Sequence, residues 1–154
     1  MIIWQWSSFA DLTVSQLYAM LALRQEVFVL EQQCLYPDID GLDPAARHLL
    51  GWRNAADKLE LVAQLRCLAP GAKYEEMSIG RVVTSPATRG TGLGRELVAQ
   101  GLAFARMLHP GHAIRIGAQA HLEAFYAGFG FVTVSEPYDE DGIMHIDMLL
   151  AAQP

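Results

Sequence analysis

From Ile79 to Gly94 the chain reads Ile-Gly-Arg-Val-Val-Thr-Ser-Pro-Ala-Thr-Arg-Gly-Thr-Gly-Leu-Gly, a β-prone run that delivers a glycine-rich turn straight into a helix-forming stretch. Glycines without a Cβ let successive backbone N–H groups converge on an anion, and the free N–H groups of the following helix add the positive end of its dipole. Spacing narrows the choice of anion. A nucleoside-triphosphate loop needs Gly-Lys-Ser/Thr at its end, whereas Gly94 is followed here by Arg95 and Glu96. A dinucleotide fingerprint starting at Gly90 needs its third glycine where Arg95 stands, and no acid lies between Glu96 and Glu123 to hold a ribose. Both nucleotide readings fail on residues, and the turn remains as a site for some other phosphate-bearing ligand.

The run Arg89-Gly90-Thr91-Gly92-Leu93-Gly94 resembles the Arg/Gln-x-x-Gly-x-Gly/Ala motif with which the GNAT N-acetyltransferase superfamily binds acetyl-CoA. Farther on, Leu122-Glu123-Ala124-Phe125-Tyr126-Ala127-Gly128-Phe129-Gly130-Phe131 resembles that family's Tyr-x-x-x-Gly-Phe helix and strand start. The segment Phe28 to Cys34, with Tyr36, Asp38-Ile39-Asp40-Gly41, Asp43 and His48, is similar to the ElaA-like branch, so the resemblance spans nearly the whole chain.

The resemblance implies a transfer of acetyl from acetyl-CoA to a primary amine, on a small molecule or a peptide, by direct attack in a ternary complex. It puts the CoA pyrophosphate on the backbone of Gly90, Thr91, Gly92, Leu93 and Gly94, with Arg89 helping. The pantetheine arm is expected to pair, strand-like, with the backbone around Val82, Val83 and Thr84. Gln119 stands where the family commonly carries an asparagine, and Phe125 is expected to line the arm. Tyr126 takes the role of general acid, because a phenol with a reference pKa near 10 is protonated at neutral pH and can donate to the departing thiolate. On that reading the alkaline limb of kcat reports its ionisation. The acceptor ammonium must also lose a proton, and Glu31, His48 and His121 are the candidate bases, directly or through water. Asp38 and Asp40, with Glu31 and Asp43, are expected to draw a cationic amine. An acylated Cys34 is the minor alternative route. No metal is called for.

These residues need a scaffold. Ile2 to Trp6 reads as a strand, and Thr13-x-x-Gln16 as a capping box before a helix with a stripe of Val14, Leu17, Leu21 and Phe28. Cys34 to Arg47, with Pro37, Pro44 and Asp40-Gly41, reads as a surface loop. Leu59 to Leu68 alternates with period two and predicts a half-buried strand, paired with His48 to Trp52 and followed by Met77 to Thr84. Leu93, Leu97, Gly101, Phe104 and Leu108 mark a helix stopped by Pro110-Gly111. A strand over Ala113–Gly117, a short helix over His121–Gly128, and strands over Phe131–Val134 and Met144–Leu150 complete the order. The expected fold class is α/β, a GNAT-like mixed and largely antiparallel central sheet flanked by helices, in one domain over 1–154.

Composition agrees with that frame. The 154 residues are 52% apolar and 18% charged, enough to fold without a staple. Eleven Lys and Arg against seventeen Asp and Glu give a net charge of −6, which argues against a nucleic-acid partner. No apolar run approaches the roughly 20 residues of a membrane span. Two lone cysteines, Cys34 and Cys67, fit a reducing compartment, so the expectation is a cytoplasmic protein that engages no membrane. Pairing of the last strand with that of a second copy, as a homodimer, is compatible with its apolar residues. The rival reading keeps fold and cofactor but drops the catalysis: a catalytically weak acetyl-CoA-binding sensor or interaction module.

Overall fold

The computed structural model describes residues 1–154. Eight strands form one mixed sheet in the order β1-β2-β3-β4-β5-β8-β6, with β7 paired on β8. They are β1 (Ile2–Ser8), β2 (Arg47–Ala55), β3 (Lys58–Leu68), β4 (Met77–Thr84), β5 (Ile114–Gln119), β6 (Val132–Thr133), β7 (Tyr138–Glu140) and β8 (Ile143–Leu150). All neighbours are antiparallel except β4 and β5, which the crossover helix α2 (Leu93–Leu108) makes parallel. Helix α1 (Val14–Arg24) covers one face of the sheet, and α2 with the short α3 (Glu123–Ala127) covers the other. No helix is long and apolar enough to cross a membrane.

Helix α1 starts on the capping box expected of Thr13 and Gln16, both halves of which form. Its buried face, however, only partly follows the stripe read from the sequence: Val14 is exposed, while Met20, Leu23 and Arg24 are buried. Leu17 and Leu21 of that stripe are half-buried against the same core, and Phe28 is buried as expected. Beyond Arg24 the helix widens into a π-helical stretch, Gln25–Glu31, closed by Gln32 N–H donating to Val27 O at 2.9 Å.

Strand β3 also departs from expectation. From Leu61 to Leu68 it is buried on both faces rather than one, and Leu59 is exposed. Gln64 and Arg66, polar on an alternating pattern, lie beneath α1 and the 32–47 loop. The Gln64 side-chain amide donates to Met20 O at 2.7 Å, and Arg66 meets Asp40 and Asp43. The loop is thus pinned to the sheet rather than free at the surface. Arg24, fully buried, pairs with Asp38 and Asp43 at 2.8 Å each, and Arg81 pairs with Asp38 at 2.7 Å. Three arginines against three aspartates make this buried set neutral, which is the condition for holding charge inside a protein.

Two features of β4 shape the site. Its register on β3 shifts between Gln64 and Arg66, and Arg81 takes φ +51, so that a bulge adds one residue to β4. The bulge flips the alternation: Met77 and Ile79 point to the α2 side, and after it Val82 packs there while Val83 turns to the α1 side. The second feature is a splay. β4 pairs with β5 only at Met77–Ile114 and Ser78–Arg115, and beyond Ser78 the strands part.

Candidate active site

The parting strands open a cleft of about 660 Å³, walled by β4 from Ser78 to Thr84 and by Ile116 to Gln119 of β5. It reaches both faces of the sheet. Tyr126 belongs to the α2-side core with Ile116, Ala118, Ile146 and Met148. Residues that alternate with these, Gly117 and Gln119 on β5 and His145 on β8, face the α1 side, and they line the same cleft.

Toward the end of β4, Val82, Val83, Thr84 and then Arg89 line the wall. The chain then turns through Gly90 (φ +78) and Gly92 (φ +84) into α2. Positive φ is what these glycines supply, since a side chain there is strained. A Cβ at Gly90, Gly92 or Gly94 would meet nothing within 4 Å, so the approach to the backbone is open. Gly92 is the cap residue of α2 and no side chain caps the helix; the first amide bonded back is that of Glu96, on Gly92 O at 3.2 Å. The amides of Leu93, Gly94 and Arg95 are the unpartnered first turn, which suits a phosphate-bearing ligand. Thr91 braces the turn by donating its hydroxyl to Thr88 O at 2.6 Å.

Tyr126 is buried, and its ring packs edge-to-face on Phe125 (5.1 Å) and Phe131 (5.9 Å). Burial pushes its phenol up to about 12. The wall at this point is Leu122 and Tyr126. Phe125, expected on the wall, instead lies beside it between Tyr126 and Phe129.

The structure separates the candidate bases and acids. Glu31, at the end of the π-helical stretch, lines the cleft and pairs with Arg89 across its mouth. His121 is exposed and also lines it. His48 does not: it is buried, its Nε2–H donates to Asp43 O at 2.9 Å, and burial lowers its pKa. Asp38 and Asp40 are spent on Arg24, Arg66 and Arg81. Burial alone would raise the Asp40 carboxyl, but the Arg66 hydrogen bonds, the Leu42 N–H and the nearby guanidinium charges hold it well below the usual carboxylate range. These aspartates are framework, because each negative charge already faces a guanidinium. Gln119 donates to Gln32 Oε1 at 2.9 Å and so ties β5 to the π-helical stretch. Cys34 is buried, and burial raises its thiol, which does not favour the acyl-enzyme route.

Gln32, Tyr36, Lys73, Glu140 and His145 also line the cleft; the sequence reads Glu140 chiefly as part of a solvated turn, Asp139-Glu140-Asp141, and no functional reading reached Lys73 or His145. The signal for His145 was present: with Asp147 it puts polar residues on one face of a strand whose other face is Ile146, Met148 and Leu150.

Comparison with known proteins adds three findings. A family profile described as an acetyltransferase (GNAT) domain matches residues 57–152. The chain is 48% identical over 150 residues to protein ElaA of Escherichia coli, spanning 96% of this chain and 95% of that one. It is 48% identical over 151 residues to a UPF0039 protein of Synechocystis, spanning 98% and 96%. Among solved structures, an acyl-CoA N-acyltransferase from Pseudomonas aeruginosa superposes with a TM-score of 0.91 at 45% identity, covering 98% of this chain and all of that one. ElaA of Escherichia coli superposes with a TM-score of 0.89 at 48% identity, covering 97% and 99%.

Proposed function

The chain belongs to the GNAT acetyltransferase family, and we propose that this acyltransferase moves an acetyl group from acetyl-CoA to a primary amine by direct attack, without an acyl-enzyme. The observation that carries the reading is the cleft itself. One slot runs from Arg89, which leads into an uncapped, glycine-opened helix start, along an unpaired strand edge, past a buried phenol, to the opposite face of the sheet.

In this reading the phosphates rest on the amides of the Gly90–Gly94 turn. Arg89 can serve them once its guanidinium leaves Glu31. The arm pairs with the free edge of β4 at Val82 and Thr84, as an added strand would. The thioester then lies in the splay with Tyr126 on the donor side, and the amine enters from the α1 side. Nitrogen attacks the carbonyl carbon, the carbon–sulfur bond breaks, and Tyr126 donates a hydrogen bond to the departing sulfur as it takes its proton. At about 12 the phenol stays protonated throughout the neutral range, which is what a donor needs. An acid so weak acts mainly by stabilising the thiolate charge in a site with little water.

The test is acceptor-dependent release of free thiol from acetyl-CoA across a panel of amino acids, polyamines, aminoglycosides and peptides. Turnover with one class is the expected result. Tight acetyl-CoA binding with no thiol release from any class would favour the sensor reading.

A further inference from the structure

The acceptor side of the cleft has a charge pattern that the donor chemistry does not use. Among its acids and bases, Glu31 is paired with Arg89, and Asp40 with Arg66 and Arg81. His121, Lys73, Glu140 and His145 remain, and of these His121 is exposed with no partner to orient its ring. The β7–β8 hairpin, turned at Asp141 (φ +53) and Gly142 (φ +85), sets Glu140 beside His145, Nε2 to Oε2 at 3.4 Å. Ring nitrogen Nδ1 donates to Ile143 O at 2.8 Å, which fixes the neutral tautomer with its lone pair on Nε2. Tyr138 stacks on the imidazole at 6.1 Å and 23°, and its hydroxyl donates to Asp147 at 2.6 Å, so the ring is held in place.

Lys73 reaches the same cleft from the β3–β4 connection, its ammonium over the Tyr74 ring at 5.3 Å, and it forms no ion pair. Burial lowers its pKa, with Glu140 opposing and Arg81 and Arg66 adding to the effect. An unneutralised cation so placed favours an anionic partner. Between these groups the floor is Gly117, where a Cβ would stand 3.2 Å from the Tyr138 hydroxyl and 3.3 Å from that of Tyr74. The missing side chain lets these two phenols close over β5.

We propose that the acceptor is an amine that also carries a carboxylate, an amino-acid-type zwitterion, whose ammonium gives a proton to His145, held by Ile143 O and Tyr138 with Glu140 placed to face the imidazolium, and whose carboxylate is held by Lys73. The proposal rests on the acetyl-transfer reading above and names its substrate class. The proton count closes. Nε2 of His145 takes one proton from the ammonium, and the imidazolium that results faces the Glu140 carboxylate before returning the proton to solvent. The freed lone pair forms the carbon–nitrogen bond as the carbon–sulfur bond breaks. The second proton lost from nitrogen balances the one that ends on the thiol.

The experiment compares amino acids with their carboxamides in thiol release, using wild-type protein and the Lys73→Met and His145→Gln variants. At least one amino acid is expected to turn over with kcat/KM about 10- to 100-fold above its amide, the worth of a hydrogen-bonded charge pair. Lys73→Met should erase that ratio by lowering only the acid's value. His145→Gln should lower kcat about 10²- to 10⁴-fold, with the loss shrinking as rising pH frees the amine by itself. The groups against the ring are Glu140, Tyr138 and the Ile143 carbonyl, so Glu140→Gln is the control for the carboxylate's part in that loss. Calorimetry with acetyl-CoA should show unchanged affinity in both variants. Amides or simple amines used as well as amino acids, turnover of no amino acid at all, or a ratio that survives Lys73→Met would each overturn the proposal. Loss of acetyl-CoA binding by the wild-type protein would instead bring down the acetyl-transfer reading beneath it.

Discussion

Tyr126 shows how one residue's surroundings decide its chemistry. A free phenol would ionise within the range of ordinary pH profiles, and the motif alone leads one to look for its ionisation on the alkaline limb of kcat. Burial among Phe125, Phe131 and the core moves the phenol to about 12, beyond that range. Tyr126→Phe, which keeps ring and volume, is therefore expected to lower kcat about 10²- to 10⁴-fold at every pH below about 10, with the shape of the profile unchanged. Melting temperature and acetyl-CoA affinity should hardly move, because the hydroxyl bonds to no protein group. Steady-state kinetics from pH 6 to about 10 check this; a variant with wild-type kcat would leave the thiolate to be protonated by water.

At the scale of elements, the 32–47 loop, α1, β3 and β4 are joined by the buried arginine–aspartate set and by His48, and that set makes stability depend on pH. The Asp40 and Asp43 carboxyls lie below their unfolded value of about 3.9, despite burial, because of Arg24, Arg66 and Arg81. Their contribution is complete above that value and is lost as pH falls through the folded one. His48 is lowered as well, so between about 6.5 and its folded pKa the unfolded chain binds more protons and stability falls as pH drops. Urea midpoints should thus decline gently below about pH 6.5 and steeply below about 4. His48→Gln should remove the first decline. Asp43→Asn should cost about 3–5 kcal/mol at neutral pH by leaving Arg24 and Arg66 undercompensated. An acid profile unaltered in His48→Gln would take that histidine out of the account.

The same elements show what the sequence could reveal. The strand, glycine turn and helix from Met77 to Leu108, and the short helix bearing Tyr126, were legible because each is a local pattern whose spacing carries its own physics. The acceptor side was not. Gln32, Tyr36, Lys73, Glu140 and His145 come from three separated segments, and each taken alone is an ordinary polar residue. The π-helical stretch and the Arg81 bulge escaped because each adds one residue to a period that a sequence reading assumes to be regular. The buried charges escaped because Asp38, Asp40 and Asp43 look like turn formers until their arginines, as many as 43 positions away, are seen beside them.

The molecule as a whole is one sheet in two halves, β1–β4 and β5–β8, stitched at two residue pairs and bridged by α2. In the terms of amide hydrogen exchange, a strand edge without a neighbour is a place where deuterium enters without any unfolding. The β4 amides that face the gap beyond Ser78 should therefore exchange far faster than those that face β3 on the same strand. Saturating acetyl-CoA is expected to slow them selectively, whereas adenosine diphosphate, which has the phosphates but no arm, should protect only the start of α2. If both ligands gave the same pattern, the arm would not lie on β4. On the proposed function, the gap is an unfinished sheet whose last strand would arrive with every turnover and leave as free CoA, so that the fold would be completed and undone once per catalytic cycle.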